Sequence, residues 1–269
     1  MDIKTYVLKR KQNLKERILK DGGTPSLVII QVNDDFASNK YVAGKINDAR
    51  EVGISAKLIK MPETTRLDEL LKKIKKLNKD PHVNGIIVQL PLPKHIDENI
   101  VKEAINPAKD VDGFHPLSRF KACTPLGIIN YLKDEGVEIR GKNVVIIGRS
   151  NIVGKPAAML FLEEDGNVTV LHSKTSREDL KNYVANADIM VVAVGRKHFI
   201  NDEHTLKNSA VLVDVGINRD EEGKLTGDIK PGRDVYLQTP VPGGVGLLTR
   251  LTLLENVLKV VVQDDGIGR

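Results

Sequence analysis

The 269-residue chain contains no tryptophan, five tyrosines, five phenylalanines and a single cysteine. Each scarcity excludes something. Cys123 has no second cysteine with which to form an intramolecular disulfide or a multi-cysteine metal site, and a free thiol suits a reducing compartment. With 4% aromatics and no basic segment interleaved with stacking rings, single-stranded nucleic acid is not the expected partner. Neither charge sign dominates: 41 basic residues are interspersed with 36 acidic ones, and the net charge of +5 suits a small anionic ligand better than a nucleic acid. No apolar run reaches membrane-spanning length, and Met1–Arg10 lacks the apolar core of a secretion signal, so no membrane partner and a cytoplasmic location are expected. Tandem repeats and low-complexity stretches are absent too. An apolar content of 41% over this length supports a large core, expected in two domains.

The pattern that is present alternates between strand and helix. Ser26–Val32 is a continuous apolar run that suits a strand buried on both faces. A helix capped near Ser38 and running to Gly53 follows, and then a more exposed strand over Ile54–Lys60. Thr65 and Asp68 are placed to form a capping box for a lysine-rich helix reaching Lys79, with Leu67, Leu70, Leu71, Ile74 and Leu77 on its apolar face. Val83–Leu90 completes a βαβαβ unit, which Pro91 and Pro93 terminate. From about residue 120 a second alternating unit begins. Its helix over Pro125–Glu135 is followed by strands near Asn143–Gly148, Val168–His172, Asp188–Gly195 and Ser209–Gly216, and Ser176 with Asp179 is placed to cap an intervening helix. Thr239–Gly246 is rich in proline and glycine and reads as irregular, ahead of a last amphipathic helix to about Val262 that returns to the first domain.

Within the second unit, Val144–Ile147 runs through Gly148 into a helix start at Gly154-Lys155-Pro156, a geometry that offers free backbone N–H groups to a dinucleotide pyrophosphate. The spelling is G-x-S-x-x-x-G rather than G-x-G-x-x-G, with Ser150 in place of the second glycine. About 20 residues later, where an NAD enzyme keeps a carboxylate for the ribose, Leu171-His172-Ser173-Lys174-Thr175 has none. Arg149 in the turn, Ser173 and Lys174 favour the extra phosphate of NADP.

Other candidates sit at the carboxyl ends of the first unit's strands. Gln89 lies in Val88-Gln89-Leu90-Pro91, where it either positions a charged neighbour or simply ends a strand. Tyr41 and Lys45 share one helical face, a spacing that also suits a solvated surface; a lysine there can serve as a general acid/base. Asp110 and Asp112 alternate in a turn-like stretch without the further ligands of a calcium loop, so turn formation ranks above metal binding; Asp112 is the better placed to hold an amino-pyrimidine edge through paired hydrogen bonds. The six histidines show no metal-ligand spacing, no metal is expected, and Cys123 has no nearby partner for nucleophilic chemistry.

Taken in order, these segments resemble the bifunctional methylenetetrahydrofolate dehydrogenase/methenyltetrahydrofolate cyclohydrolase family. The likeness runs through Ser38-x-x-Tyr41-Val42-x-x-Lys45, Pro62-Glu63-Thr64-Thr65, Gly85–Pro93, Lys109–Phe114, Cys123-Thr124-Pro125, Gly148-Arg149-Ser150-x-x-Val153-Gly154-x-Pro156, Asp214–Asn218 and Thr239–Gly246. The resemblance implies an α/β fold of two domains: a βαβ-type folate-binding catalytic domain, 1–119 with 248–269, and a Rossmann-like, doubly wound NADP-binding domain, 120–247. It implies Lys45 as the acid/base of the cyclohydrolase step, Gln89 tuning Lys45, Tyr41 packed on the folate and Asp112 on the pterin edge. Pro242, Gly243 and Gly246 line the folate site by the same likeness, Gly148, Arg149, Ser150, Ser173 and Ile217 bind NADP, and the subunit pairs as a homodimer serving one-carbon metabolism and purine biosynthesis. Departures from the family pattern fall mainly on the substrate side: a short His115–Cys123 connection, Ala122 for a proline, Asn33 for a glycine and Leu247 for a proline. A monofunctional dehydrogenase and a non-enzymatic dinucleotide-binding module are the alternatives. Tyr41-x-x-x-Lys45 also imitates the short-chain dehydrogenases, in which the glycine turn comes first in the chain rather than later.

Overall fold

Strand β1 (Ser26–Gln31) is buried along almost its whole length, as its unbroken apolar run requires. It is the centre of a parallel three-stranded sheet in the computed structural model, which describes residues 1–264. The preceding helix is α1 (Ile3–Asp21); after β1 come α2 (Phe36–Val52), β2 (Ser55–Lys60), α3 (Leu67–Lys79), β3 (Gly85–Val88) and α4 (Glu98–Ala104). The strand order is β2-β1-β3, with Ile30 level with Ile59 on one side and Val88 on the other. β2 is the more exposed strand that the sequence predicts, and it lies at the sheet's edge. One face of the sheet packs Val28, Ile30, Ile86 and Val88 against Leu70, Ile74 and Leu77 of α3. Ile74 is fully buried there, and Ile74→Ala is expected to cost about 2–5 kcal/mol of stability, read as a lower urea midpoint.

Two predicted caps move. Helix α2 starts three residues earlier than expected, because Asp35 accepts the Ser38 N–H at 2.8 Å and takes the capping role. Its other end closes at Gly53 in the left-handed conformation, as expected. At α3 the cap is Arg66, whose N–H donates to the Glu69 carboxylate at 3.3 Å. Thr65 is instead buried, its carbonyl 2.9 Å from a ring nitrogen of His95.

The second sheet follows α5 (Cys123–Asp134) and contains β4 (Asn143–Ile147), α6 (Gly154–Glu163), β5 (Asn167–Leu171), α7 (Arg177–Asn186), β6 (Ile189–Val192) and β7 (Val211–Asp214). A short antiparallel pair, β8 (Asn218–Arg219) and β9 (Leu225–Thr226), precedes β10 (Leu237–Gln238) and the last helix, α8 (Val245–Asp264). The order β10-β7-β6-β4-β5 is parallel throughout, a doubly wound arrangement whose winding reverses between β4 and β6. Ser176 caps α7, accepting the Asp179 N–H at 3.0 Å as predicted.

The chain divides into two compact units, Leu8–Cys123 with the chain from Arg250 on, and Met1–Val7 with Thr124–Thr249. These breaks differ from the expected 119/120 and 247/248, and 265–269 of the expected first domain lie outside the described residues. Residues 1–7 group with the second unit. The Tyr6 ring packs edge-on against Tyr131 at 5.2 Å, and its hydroxyl donates to Asp134 at 2.7 Å. Among the described residues no helix is long and apolar enough to cross a membrane.

Candidate active site

In the first unit, Lys45 projects from α2, the helix that follows β1, and Gln89 stands at the end of β3 beside β1. Residues 109–112 run alongside β3, since the Ile86 N–H donates to Lys109 O at 2.9 Å and Ile86 pairs with Asp110. Parallel pairing thus gathers three side chains distant in sequence. The Lys45 ammonium donates to Gln89 Oε1 at 3.1 Å and lies 3.9 Å from Asp112 Oδ2. Its Nζ is also 5.5 Å from the centre of the Tyr41 ring. Lys45, Gln89 and Asp112 are all buried, which rules out a solvated helix face for Lys45. Gln89 is oriented in turn, its amide donating to Leu90 O at 2.7 Å.

Asp110 does a different job. Its Oδ2 accepts the His115 N–H at 2.8 Å, which shapes the turn, and burial raises its carboxyl above the ordinary range. Cys123 is fully enclosed, its thiol donating to Val111 O at 3.2 Å; burial pushes that thiol well up, the opposite of a nucleophile's requirement.

In the second unit, Gly148 directly follows β4 at the point where the sheet's winding reverses, and a cavity of about 1130 Å³ opens there. Gly148, Arg149 and Ser173 line it, with Arg177, Arg196 and Lys197 adding positive charge. The backbone is too close for side chains: a Cβ on Gly148 would lie 2.3 Å from Ala193 O, and one on Gly154 2.2 Å from Gly148 O. A wide crevice with a glycine at its turn and more basic than acidic side chains in its lining, where Glu178 and Glu203 are outnumbered by Arg149, Arg177, Lys181, Arg196 and Lys197, fits a dinucleotide.

Two predicted cofactor residues stand apart from the cavity lining. Ser150 Oγ accepts the Val153 and Gly154 N–H groups at 3.2 and 3.3 Å, so it ties the turn together. Ile217 is 60% exposed just before β8. Lys174 is exposed and outside the lining as well, its N–H donating to His172 Nδ1 at 3.2 Å. Pro242 and Gly243 lie in the irregular stretch before α8, whereas Gly246 is already in that helix.

Residues 1–112 match the family model of the tetrahydrofolate dehydrogenase/cyclohydrolase catalytic domain, and residues 122–265 match that of the same family's NAD(P)-binding domain. The chain belongs to this family. Similar proteins include the bifunctional protein FolD of Brevibacillus brevis, 49% identical over 89% of this chain and 87% of that protein. The solved dehydrogenase/cyclohydrolase of Campylobacter jejuni is 40% identical, with a TM-score of 0.93 over 98% of both chains. That of Trypanosoma brucei, solved with NADP and an inhibitor, is 31% identical, with a TM-score of 0.92 over 98% of this chain and 97% of that one. The chain thus carries the catalytic and NAD(P)-binding domains of a tetrahydrofolate dehydrogenase/cyclohydrolase, with the two-domain α/β fold expected from its sequence.

Sequence reasoning missed two buried carboxylates of the second unit, Asp214 and Asp228. Burial pushes Asp214 up to about 6, against backbone N–H groups that favour its charged form. Each has a glycine two residues after it or immediately before it, in Asp214-Val215-Gly216 and Gly227-Asp228, and that pairing was the available signal.

Proposed function

We propose that Lys45 is the acid/base group of the cyclohydrolase step, with Gln89 and Asp112 as its partners. The carrying observation is the buried constellation itself, in which Lys45 donates to Gln89 at 3.1 Å and faces Asp112 at 3.9 Å. A buried lysine without partners would be costly, and this one is held by a neutral amide that leaves its proton free to move. Asp112 has hydrogen-bonding capacity to spare for the amino-pyrimidine edge of the folate, and the Tyr41 ring offers a flat face for stacking. Pro242, Gly243 and Gly246 contribute to the folate site by family likeness.

Bound NADP supplies the hydride acceptor that converts the methylene bridge to the cationic methenyl level. Hydrolysis then depends on the protein. Water adds to the methenyl carbon as the Lys45 amine takes one of its protons; that proton passes to the ring nitrogen as its bond to carbon breaks, and the remaining hydroxyl proton is released to solvent as the formyl C=O forms, leaving formyltetrahydrofolate. Following hydrolysis of supplied methenyltetrahydrofolate across pH tests this assignment, and a pH-independent rate that survives loss of Lys45 would exclude it.

Gly148 admits the pyrophosphate, Arg149 and Ser173 receive the extra phosphate, Ser150 shapes the turn, and Ile217 packs against the cofactor from beyond β7. The segment Leu171–Thr175 has no acidic residue to reject that phosphate. Arg149→Ala is expected to weaken NADP by about tenfold and leave NAD nearly unchanged, as measured by the ratio of kcat/KM for the two cofactors; equal losses would remove Arg149 from discrimination.

Family likeness also supports a homodimer. A cytoplasmic location and a supply of one-carbon units to purine biosynthesis agree with the single free cysteine and the folate chemistry.

A further inference from the structure

The crevice between the carboxyl ends of β4 and β6 is walled on one side by the segment that leaves β6. Beyond β6 the chain passes Gly148 so closely that Ala193 O would touch any side chain there. The next three N–H groups, of Val194, Gly195 and Arg196, all converge on one carboxylate. Asp228 Oδ2 accepts from Val194 at 2.7 Å and Gly195 at 2.9 Å, and Oδ1 accepts from Arg196 at 2.7 Å. Oδ1 also takes the Asn218 side-chain amide at 2.9 Å. One fully buried acid thus ties the segment after β6 to the segment after β7, which carries Ile217.

Asp228 is itself held in place. Its N–H donates to Asp214 Oδ1 at 2.9 Å, and the neighbouring Ile229 N–H donates to Asp214 Oδ2 at 2.8 Å. Room for the carboxylate comes from Gly216, where a Cβ would fall 2.2 Å from it. Val194 and Arg196 line the cavity, but Asp228 does not.

We propose that Asp228 is a positioning residue for the dinucleotide, its carboxylate fixing residues 194–196 against the Gly148 turn and so setting the width of the crevice. This rests on the reading that NADP occupies that crevice. An acid so near a polyanionic ligand would oppose binding if its charge acted at a distance. Here four N–H donors are aimed at the charge, so it acts through geometry. The two views predict opposite signs for one substitution.

Asp228→Asn keeps the side chain's shape, but its amide NH₂ meets backbone donors. Positioning predicts NADP dissociation constants at least about tenfold higher by calorimetry, with cyclohydrolase kcat/KM on supplied methenyltetrahydrofolate within about twofold of the parent. It also predicts faster amide hydrogen exchange at 194–196. Asn218→Ala removes one donor and is expected to move affinity and exchange the same way, by about threefold. Unchanged or tighter NADP binding by folded Asp228→Asn would overturn the proposal, as would parallel loss of NADP affinity and cyclohydrolase activity. Should Asp228→Asn not fold, Asn218→Ala decides alone, and unchanged affinity and exchange in it would also overturn the proposal. Failure of the unaltered protein to bind NADP would instead remove the reading on which the proposal rests.

Discussion

Lys45→Met is expected to lower cyclohydrolase turnover by about 10²–10⁴-fold, the range over which a positioned acid/base group contributes. Methionine preserves much of the side chain's length and apolar stem but cannot carry a proton. The substitution also strands Asp112, a buried carboxylate whose cationic neighbour stands 3.9 Å away, so some loss of thermal stability is expected alongside. Lys45→Arg separates the two effects. Its guanidinium keeps a charge beside Asp112 without giving up a proton, so stability should recover largely while hydrolysis stays slow. Stopped assays on methenyltetrahydrofolate, paired with thermal melts, measure both; near-parental hydrolysis by Lys45→Met would exclude the acid/base role.

Gly148→Ala is the second large effect, and it falls on the other reaction. The residue has φ of 118°, which disfavours any side chain, and the added Cβ would sit 2.3 Å from Ala193 O. The turn and the segment after β6 cannot both keep their places. NADP affinity is expected to fall by about 100-fold or more, equivalent to roughly 2.8 kcal/mol. Cofactor titration by calorimetry checks this. Hydrolysis of supplied methenyltetrahydrofolate should persist, because Lys45, Gln89 and Asp112 belong to the other compact unit.

The buried strands were legible in the sequence because β1, β3, β4, β6 and β7 are short apolar runs bounded by polar or glycine-containing stretches. The helix starts were less so, since Asp35 and Ser38 both suit a cap and only the backbone path decides that Asp35 accepts the bond. Helix α1 went unnoticed for a physical reason: its apolar stripe of Ile3, Tyr6, Val7, Leu14 and Ile18 is interrupted by Lys11. That lysine is buried because Asp48 and Glu51 pair with it at 2.6 and 2.7 Å, and no local pattern reveals partners so far along the chain.

The site shows the same contrast. Lys45 and Gln89 were identifiable singly, while their contact depends on β1 pairing in parallel with β3. For Ser150 the sequence suggested contact with the cofactor; that its hydroxyl oxygen also accepts the Val153 and Gly154 N–H groups is visible only in the folded turn. Asp228 was the least legible. An isolated aspartate after a glycine looks like a turn residue, and its importance emerges only when loops from two strands converge on it.

The most direct measurement supplies methylenetetrahydrofolate with NADP, and separately with NAD, while following reduced cofactor, methenyltetrahydrofolate and formyltetrahydrofolate as three signals. With NADP, reduced cofactor is expected to rise together with a transient methenyl signal that decays into the formyl product, and NAD should support the reaction more weakly. Absence of reduced cofactor with both dinucleotides would contradict the dehydrogenase, and methenyltetrahydrofolate that accumulates and is hydrolysed no faster than in buffer alone would contradict the role of Lys45.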